Sequence, residues 1–335
     1  MPQLKPQESS LNRADWIDIA KGIAICLVVV GHAWRGLFSA GQLSDAIFRA
    51  VDERIYAFHM PVFFLLSGVF YISVVDRLSA RKYINRLFLK MFWPMVLWTY
   101  LFFFVKLAAG TLANNPVSFA EFPAVPIPGQ LHLWFLWALL IISVLLLPLR
   151  FCLNDGHLNP WVLWGLGGVI IILANMPMPF ALHYWTSNAL QYLPFFYLGV
   201  VLSHENAFDR LSRNAGLIAA GVFISMIAVW PLIKDAGIAW PASFVVTLCF
   251  LVAIAKLSEK YAFWGKGLAL NLGKATFAIY VAHTIFSATM REVLFVASVN
   301  NVVMHMLVGT LIGIIGPLIF VKIAKLTKTR AFFGV

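Results

Sequence analysis

Apolar runs of about 17 to 25 residues, the length that crosses a hydrocarbon core of roughly 30 Å as a helix, recur about ten times along the chain. They centre near Val28, Phe64, Leu97, Leu140, Val169, Phe195, Ile224, Val246, Tyr280 and Ile312. The pattern predicts an all-α integral membrane protein, a single bundle of about ten transmembrane helices. The sixth run is interrupted by Asn188, Gln191 and Pro194, so its helix is expected to face the bundle interior and not lipid. Pro116, Pro123, Pro126 and Pro128 argue against helix between about Gly110 and Gln130, which makes that stretch the longest irregular loop.

Composition closes off the soluble alternative. Of the 335 residues 61% are hydrophobic and 12% charged, and the mean hydropathy is +0.85, outside the range in which a soluble domain covers its own surface. No shift in composition marks a second domain, so residues 1–335 read as one transmembrane unit, with 1–15 an N-terminal segment and 326–335 a tail. The first apolar run carries Lys21 and His32, which speaks against a cleaved leader. No repeat relates the two halves, a weak argument against transporter folds built from repeats.

The net charge of +11 would suit a nucleic-acid partner only if the cations formed one patch. They fall between apolar runs instead. With the N-terminus in the cytoplasm, that side collects 18 Lys and Arg, among them the cluster Arg77 to Lys90 and the tail from Lys322 to Arg330, against six outside. The bias orients the bundle with both termini cytoplasmic, and no nucleic acid is expected. Cys26, Cys152 and Cys249 lie far apart, with neither metal-ligand spacing nor a disulfide framework.

Ionisable groups at membrane depth are costly and mark function. Lys21 and His32 are eleven residues apart; at 100° per residue they project from nearly one helix face, about 16 Å apart along the axis. Lys21 then lies near the cytoplasmic end, where it could also snorkel or pair with Asp18. His32 lies toward the outside. The stretch from Glu53 and Arg54 to His59 and on through Ser67-Gly68 brings a second imidazole to similar depth, while Ser67-Gly68 reads as close helix packing. His132 with Trp134 opens the fourth run from outside, and His283 follows Tyr280 in the ninth. Four imidazoles thus share a level on different helices. Trp134 alone would pass for an interfacial aromatic. No carboxylate or thiolate accompanies the histidines at ligand spacing, so no metal is expected.

Four stretches resemble the acyltransferase-3 family of bacterial membrane acyltransferases, and within it the branch similar to fucose 4-O-acetylases. They are Asp15 to His32, Phe58-His-Met-Pro-Val-Phe-Phe-Leu-Leu-Ser-Gly68, His132-Leu-Trp-Phe-Leu136 and Leu272-Gly-Lys-Ala-Thr-Phe-Ala-Ile-Tyr-Val-Ala-His283. The family carries Arg, ten residues, then His in its first span; here Lys21 stands for the Arg, keeping the charge but losing the bidentate fork. The resemblance implies a bacterial inner-membrane enzyme with no bound cofactor. It would take an acyl group, acetyl first of all, from cytoplasmic acyl-CoA (acetyl-CoA) to a sugar or glycan hydroxyl.

On that expectation His32 is general base or acyl acceptor and Lys21 orients the donor. Asp15, Arg54, His59, His132, Trp134 and His283 contact substrate. The residues alone leave two rivals: a transporter or exporter of a glycan or lipid-linked substrate, whose path the same buried charges would line, and a membrane sensor without chemistry.

Overall fold

The structure is a computed structural model, which describes residues 9–129, 131–154, 157–176, 180–212, 214–261 and 265–335. Among the described residues helices make up nearly all of the regular structure; a two-residue antiparallel pairing of Leu153–Asn154 with His157–Leu158 is the exception. Among the described residues seven helical segments are long and apolar enough to cross a membrane: Asp15–Ser39, Asp45–Arg77, Ala80–Leu112, Leu131–Cys152, Ala239–Glu259, Thr276–Val296 and Val302–Leu326. They account for seven of the runs read from the sequence. Two others, Pro160–Asn175 and Ala215–Ala228, form shorter apolar helices. At 1.5 Å per residue these extend about 24 and 21 Å, short of the hydrocarbon thickness. The polar sixth run is a continuous helix, Phe180–His204, with Pro194 inside it.

Large aliphatic side chains face outward, the reverse of a soluble protein. On the last long helix Leu307, Leu311, Ile315, Ile319 and Ile323 are exposed at four-residue spacing, a stripe suited to lipid. The opposite face of that helix is lined by Gly309, Gly313 and Gly316, which packs against the Thr276–Val296 helix. Lipid tails are as apolar as leucine, so such helices associate through close packing more than through burial from water.

Two crossings set the architecture. The first helix, Ser9–Ser39, crosses the short helix Lys266–Lys274 at Gly22 and Gly273. A Cβ on Gly22 would overlap the carbonyl of Ala269, and one on Gly273 the carbonyl of Asp18. The helix His59–Val69 crosses Phe180–His204 in the same way, Gly68 lying against the Phe196 carbonyl and Gly199 against that of Leu65. Backbone meets backbone at both places, and the Ser67-Gly68 packing expected from sequence is realised.

The second span is not one helix. An amphipathic segment, Asp45–Tyr56, ends at Ala57, and a new helix starts at His59 after Phe58 leaves helical geometry at φ −142°. Residues 80–112 contain one π-helical turn, Phe88–Phe92, a feature often found at functional positions. Among its described residues the proline-rich loop holds only short 3₁₀ turns at Gly110–Leu112 and Phe119–Glu121, and Asn114 Nδ2 ties it to the first helix by donating to the Gly36 carbonyl at 3.0 Å.

Gly273→Ala is expected to lower the melting temperature of detergent-purified protein or abolish its monodisperse elution, since overpacking costs about 1 to 3 kcal/mol or more. Gly221→Ala, where a Cβ would meet nothing within 4 Å, serves as the control and should change neither.

Candidate active site

Three imidazoles from three segments converge near the middle of the bundle. His32 comes from the first helix, His132 from the 3₁₀ turn Leu131–Leu133, and His283 from the helix Thr276–Val296. Ring centroids are 5.0 Å apart for His32 and His283, 5.0 Å for His132 and His283, and 5.6 Å for His32 and His132. His283 is fully buried. Its Nδ1 donates to the carbonyls of Ile279 at 2.9 Å and Tyr280 at 2.8 Å, which leaves Nε2 as an acceptor without a hydrogen-bond partner among the described residues. His132 is held through its backbone, the carbonyl accepting from Tyr280 Oη at 2.5 Å. His32 is only half-buried, because it opens onto a cavity.

That cavity, about 300 Å³, lies beyond the imidazoles toward the Ser39 end of the first helix. Its lining combines apolar groups such as Phe102 and Leu112 with Arg35, Lys106, Asn114, Arg291 and Thr284. Thr284 Oγ1 is buried without a partner among the described residues. Arg291 is held by Glu292 at 2.7 Å, and a Cβ on Gly36 would strike its guanidinium. Arg35 makes a bidentate pair with Asp52, at 2.7 and 3.0 Å, and stacks on Tyr56 with its guanidinium carbon 3.4 Å from the ring centre.

A second cavity, about 700 Å³, opens from the other end of the first helix. Five cations line it, Lys21, Arg86, Lys90, Lys274 and Arg330, with no Asp or Glu side chain among the described residues of the lining, and Arg330 Nε donates to the Val335 main-chain oxygen at 2.6 Å. Lys90 sits on the π-helical turn. Above the cations the walls turn apolar, through Ile25, Val28, Met60, Phe63, Leu136 and Leu139, and reach Phe135 and Tyr280. No described residue lines both cavities. The imidazole layer with Tyr280 and Phe135 lies between them. A cationic mouth, an apolar throat and a cluster of bases at its end suit a long ligand with an anionic head and a reactive tip.

The family model described as an acyltransferase domain, that of the acyltransferase-3 family, matches residues 14–322. The chain belongs to this family. Relatives include the nodulation protein NolL of Sinorhizobium fredii, 31% identical over 219 residues (62% of this chain and 54% of the relative), and NolL of Mesorhizobium japonicum, 28% identical over 153 residues (45% and 39%). The match thus takes in about half or less of the length of the two nodulation proteins. The inner membrane protein YcfT of Escherichia coli is 25% identical over 316 residues, 82% of this chain and 81% of the relative. No solved structure matches.

Within this acyltransferase domain the residues singled out from sequence separate into groups. His32, His132 and His283 meet. Lys21 lies in the basic cavity, 3.3 Å from Asp18 and over the Phe70 ring at 5.3 Å, so the local pairing and the cavity position coexist. His59 turns into a neighbouring cluster: its Nδ1 donates to the Ile55 carbonyl at 2.6 Å beside the helix break, and its ring abuts Tyr56. Arg54 is drawn elsewhere. Its guanidinium donates to the carbonyls of Ala50, Ile227 and Ala228, capping the end of the helix Ala215–Ala228. Trp134 packs on Tyr192 and Phe64. Asp15 lies 17 residues before His32 on the same helix, about 25 Å along its axis. Among the described residues no group of three or more His, Cys, Asp or Glu side chains forms a site that could hold a metal ion.

Sequence reasoning had counted Arg86, Lys90, Lys274 and Arg330 as orientation signals only, and had not singled out Phe135 or Arg35. Asp52 is 8% exposed, and its loss would leave Arg35 stacked on Tyr56 without its counter-ion. Asp52→Ala is therefore expected to cost about 1.5 to 3 kcal/mol, read as a lowered unfolding midpoint of the purified protein, whereas Arg35→Lys should cost less because one charge contact survives.

Proposed function

We propose that the protein transfers an acyl group, acetyl first of all, from acyl-CoA to a hydroxyl of a sugar or glycan. One observation carries the reading: three converging imidazoles lie between a five-cation cavity and a smaller cavity onto which His32 opens. The phosphates of the donor would bind Lys21, Arg86, Lys90, Lys274 and Arg330, and its pantetheine arm would run along the apolar throat. The acceptor sugar would occupy the outer cavity, of a size at the lower end of ligand sites.

His32 then acts as general base. It takes the proton of the acceptor hydroxyl as that oxygen bonds to the thioester carbonyl carbon; the tetrahedral intermediate collapses by breaking the C–S bond, and the departing thiolate takes the proton from the imidazolium. The same nitrogen could instead carry the acyl group in a two-step route. His283, with Nδ1 committed to backbone carbonyls, offers Nε2 to the proton of the neighbouring imidazole. Lys21 supplies charge but no fork, a point contact on phosphate.

On this reading the protein lies in the bacterial inner membrane with both termini cytoplasmic and about ten transmembrane helices, Pro160–Asn175, Phe180–His204 and Ala215–Ala228 being added to the seven long segments, with the bilayer thinned locally at the two short ones. The five cavity cations all belong to the side assigned to the cytoplasm, where acyl-CoA is found. Its similarity to the Escherichia coli inner membrane protein YcfT supports the same membrane.

Release of free CoA from acetyl-CoA by protein reconstituted in lipid, with a mixed glycan extract as acceptor, tests the reading. His32→Ala should lower the rate about 10² to 10⁴-fold while eluting and melting like wild type. Full activity in that variant would remove His32 from the chemistry. Absence of release by folded wild type, with glycan flux instead, would favour a transporter.

The basic cavity gives an independent expectation. Arg86→Ala with Lys90→Ala should raise KM for acetyl-CoA about tenfold or more, since each contact to a charged group is worth about 1.5 to 3 kcal/mol. The value of kcat should change much less. Steady-state kinetics over a range of acetyl-CoA concentrations separates the two.

A further inference from the structure

The inner end of the basic cavity is closed by two aromatic rings. Phe135, from the helix Trp134–Leu145, and Tyr280, from Thr276–Val296, lie with centroids 5.5 Å apart and their planes at 68°. Both line the cavity's end, and both are at least nine-tenths buried. Neither is loosely held. Tyr280 Oη donates to the His132 carbonyl, with the Tyr280 and His132 rings 5.3 Å apart. Phe135 is wedged edge-on against Phe64 at 4.8 Å and contacts Phe63 at 6.1 Å.

On the far side of this pair stands the imidazole layer, reached through His132 and His283. A donor threaded from the cationic mouth meets the rings just before it meets the bases. The carbonyl carbon that His32 serves must come to rest at this neck, and so must whatever alkyl group that carbon bears. Interiors packed ring against ring leave little slack.

We propose that Phe135 and Tyr280 form an aromatic neck that determines which acyl groups are transferred, admitting acetyl and rejecting longer chains. This inference rests on the acyltransferase reading given above. Phe135 supplies bulk. Tyr280 supplies bulk and the hydrogen bond that fixes the ring in place, so removing its hydroxyl frees the ring to swing without enlarging the space at rest. One methylene fitted or refused in an apolar pocket is worth about 10 to 200-fold in specificity, which sets the size of effect to look for.

The test compares kcat/KM for acetyl-CoA and butyryl-CoA, followed by CoA release, in full-length reconstituted protein. Wild type should prefer acetyl. Phe135→Ala should raise the butyryl-to-acetyl ratio about tenfold or more, and Phe135→Leu, which keeps most of the packing, should raise it less. Tyr280→Phe should raise the ratio modestly and in the same direction. A ratio unchanged in all three variants, even with rates depressed for both donors, would assign the rings a packing role and overturn the neck while leaving the acyltransferase reading intact. Wild type that releases no CoA from either donor would overturn both.

Discussion

Backbone contact at Gly22 and Gly273 is the constraint on which the site depends. A side chain at either position would overlap the opposing carbonyl, so the two helices can meet here only because both lack a Cβ, the small-residue logic of helix association in membranes. From this crossing the chain counts evenly. His32 follows Gly22 by ten residues, and His283 follows Gly273 by ten. Both segments rise in the same direction at 1.5 Å per residue, which sets both imidazoles about 15 Å beyond the crossing. The turn at Ala275, where the short helix hands over to Thr276–Val296, preserves that level. The glycine contact therefore acts as a depth gauge: it brings two bases from opposite ends of the sequence to one height.

The same crossing arranges the charged end. Lys21 precedes Gly22 and Lys274 follows Gly273, so the contact that aligns the imidazoles also brings two lysines to the mouth of the basic cavity. Arg86 and Lys90 reach it from the segment that turns through the π-helical residues, and Arg330 comes from the tail, whose own position is set by Trp93 Nε1 donating to the Phe332 carbonyl at 2.7 Å and Trp98 Nε1 to that of Phe333 at 3.2 Å. Five like charges around one cavity repel one another unless an anion joins them. Asp18 pairs with Lys21 and the Val335 main-chain oxygen accepts from Arg330, and no Asp or Glu side chain among the described residues lines the cavity. A polyanionic ligand resolves that tension better than water does.

Depth was legible in the sequence, and azimuth was not. Hydropathy located the spans, and position within a span placed His32, His59, His132 and His283 at one level. Which of them meet depends on rotation about each helix axis and on neighbour order, and period alone gives neither. Beside the break at Phe58, His59 is bonded to the Ile55 carbonyl and abuts Tyr56 and makes no ring contact with the other three. Arg54 was singled out as a charge near membrane depth; in the structure it donates to the carbonyls of Ile227 and Ala228 at the end of Ala215–Ala228, a contact that hydropathy cannot show. The cavity cations were hidden for the opposite reason: charges at the ends of spans are already explained by the orientation rule, so nothing marked them for a second role. The even ten-residue offsets, Lys21-Gly22 to His32 and Gly273-Lys274 to His283, were present in the sequence and would have paired these segments. Two of the three runs missing from the seven full-length apolar helices fall short at their helix ends, as where Asn159 and Pro160 start one helix and Met176 ends it after 16 residues, a limit that hydropathy averaging blurs. The third, Phe180–His204, is long enough at 25 residues and carries the polar Asn188 and Gln191.

Closure between the two cavities has a physical rationale in the proposed reaction. A thioester held beside a general base is open to attack by any hydroxyl, water included, and water outnumbers a sugar at the outer cavity. Cavities opening toward opposite ends of the bundle would also join into a leak path if nothing stood between them, since a continuous polar channel is what the hydrocarbon core otherwise excludes. The packed layer of His132, His283, Tyr280 and Phe135 answers both requirements at once. In the proposed reaction it would keep water from the donor side and hold the bases within the barrier itself, so that the acceptor oxygen and the thioester carbon need meet only there and no open channel is required. On this view the histidines lie deep in the bundle because the barrier is there, and catalysis and sealing are performed by the same few side chains.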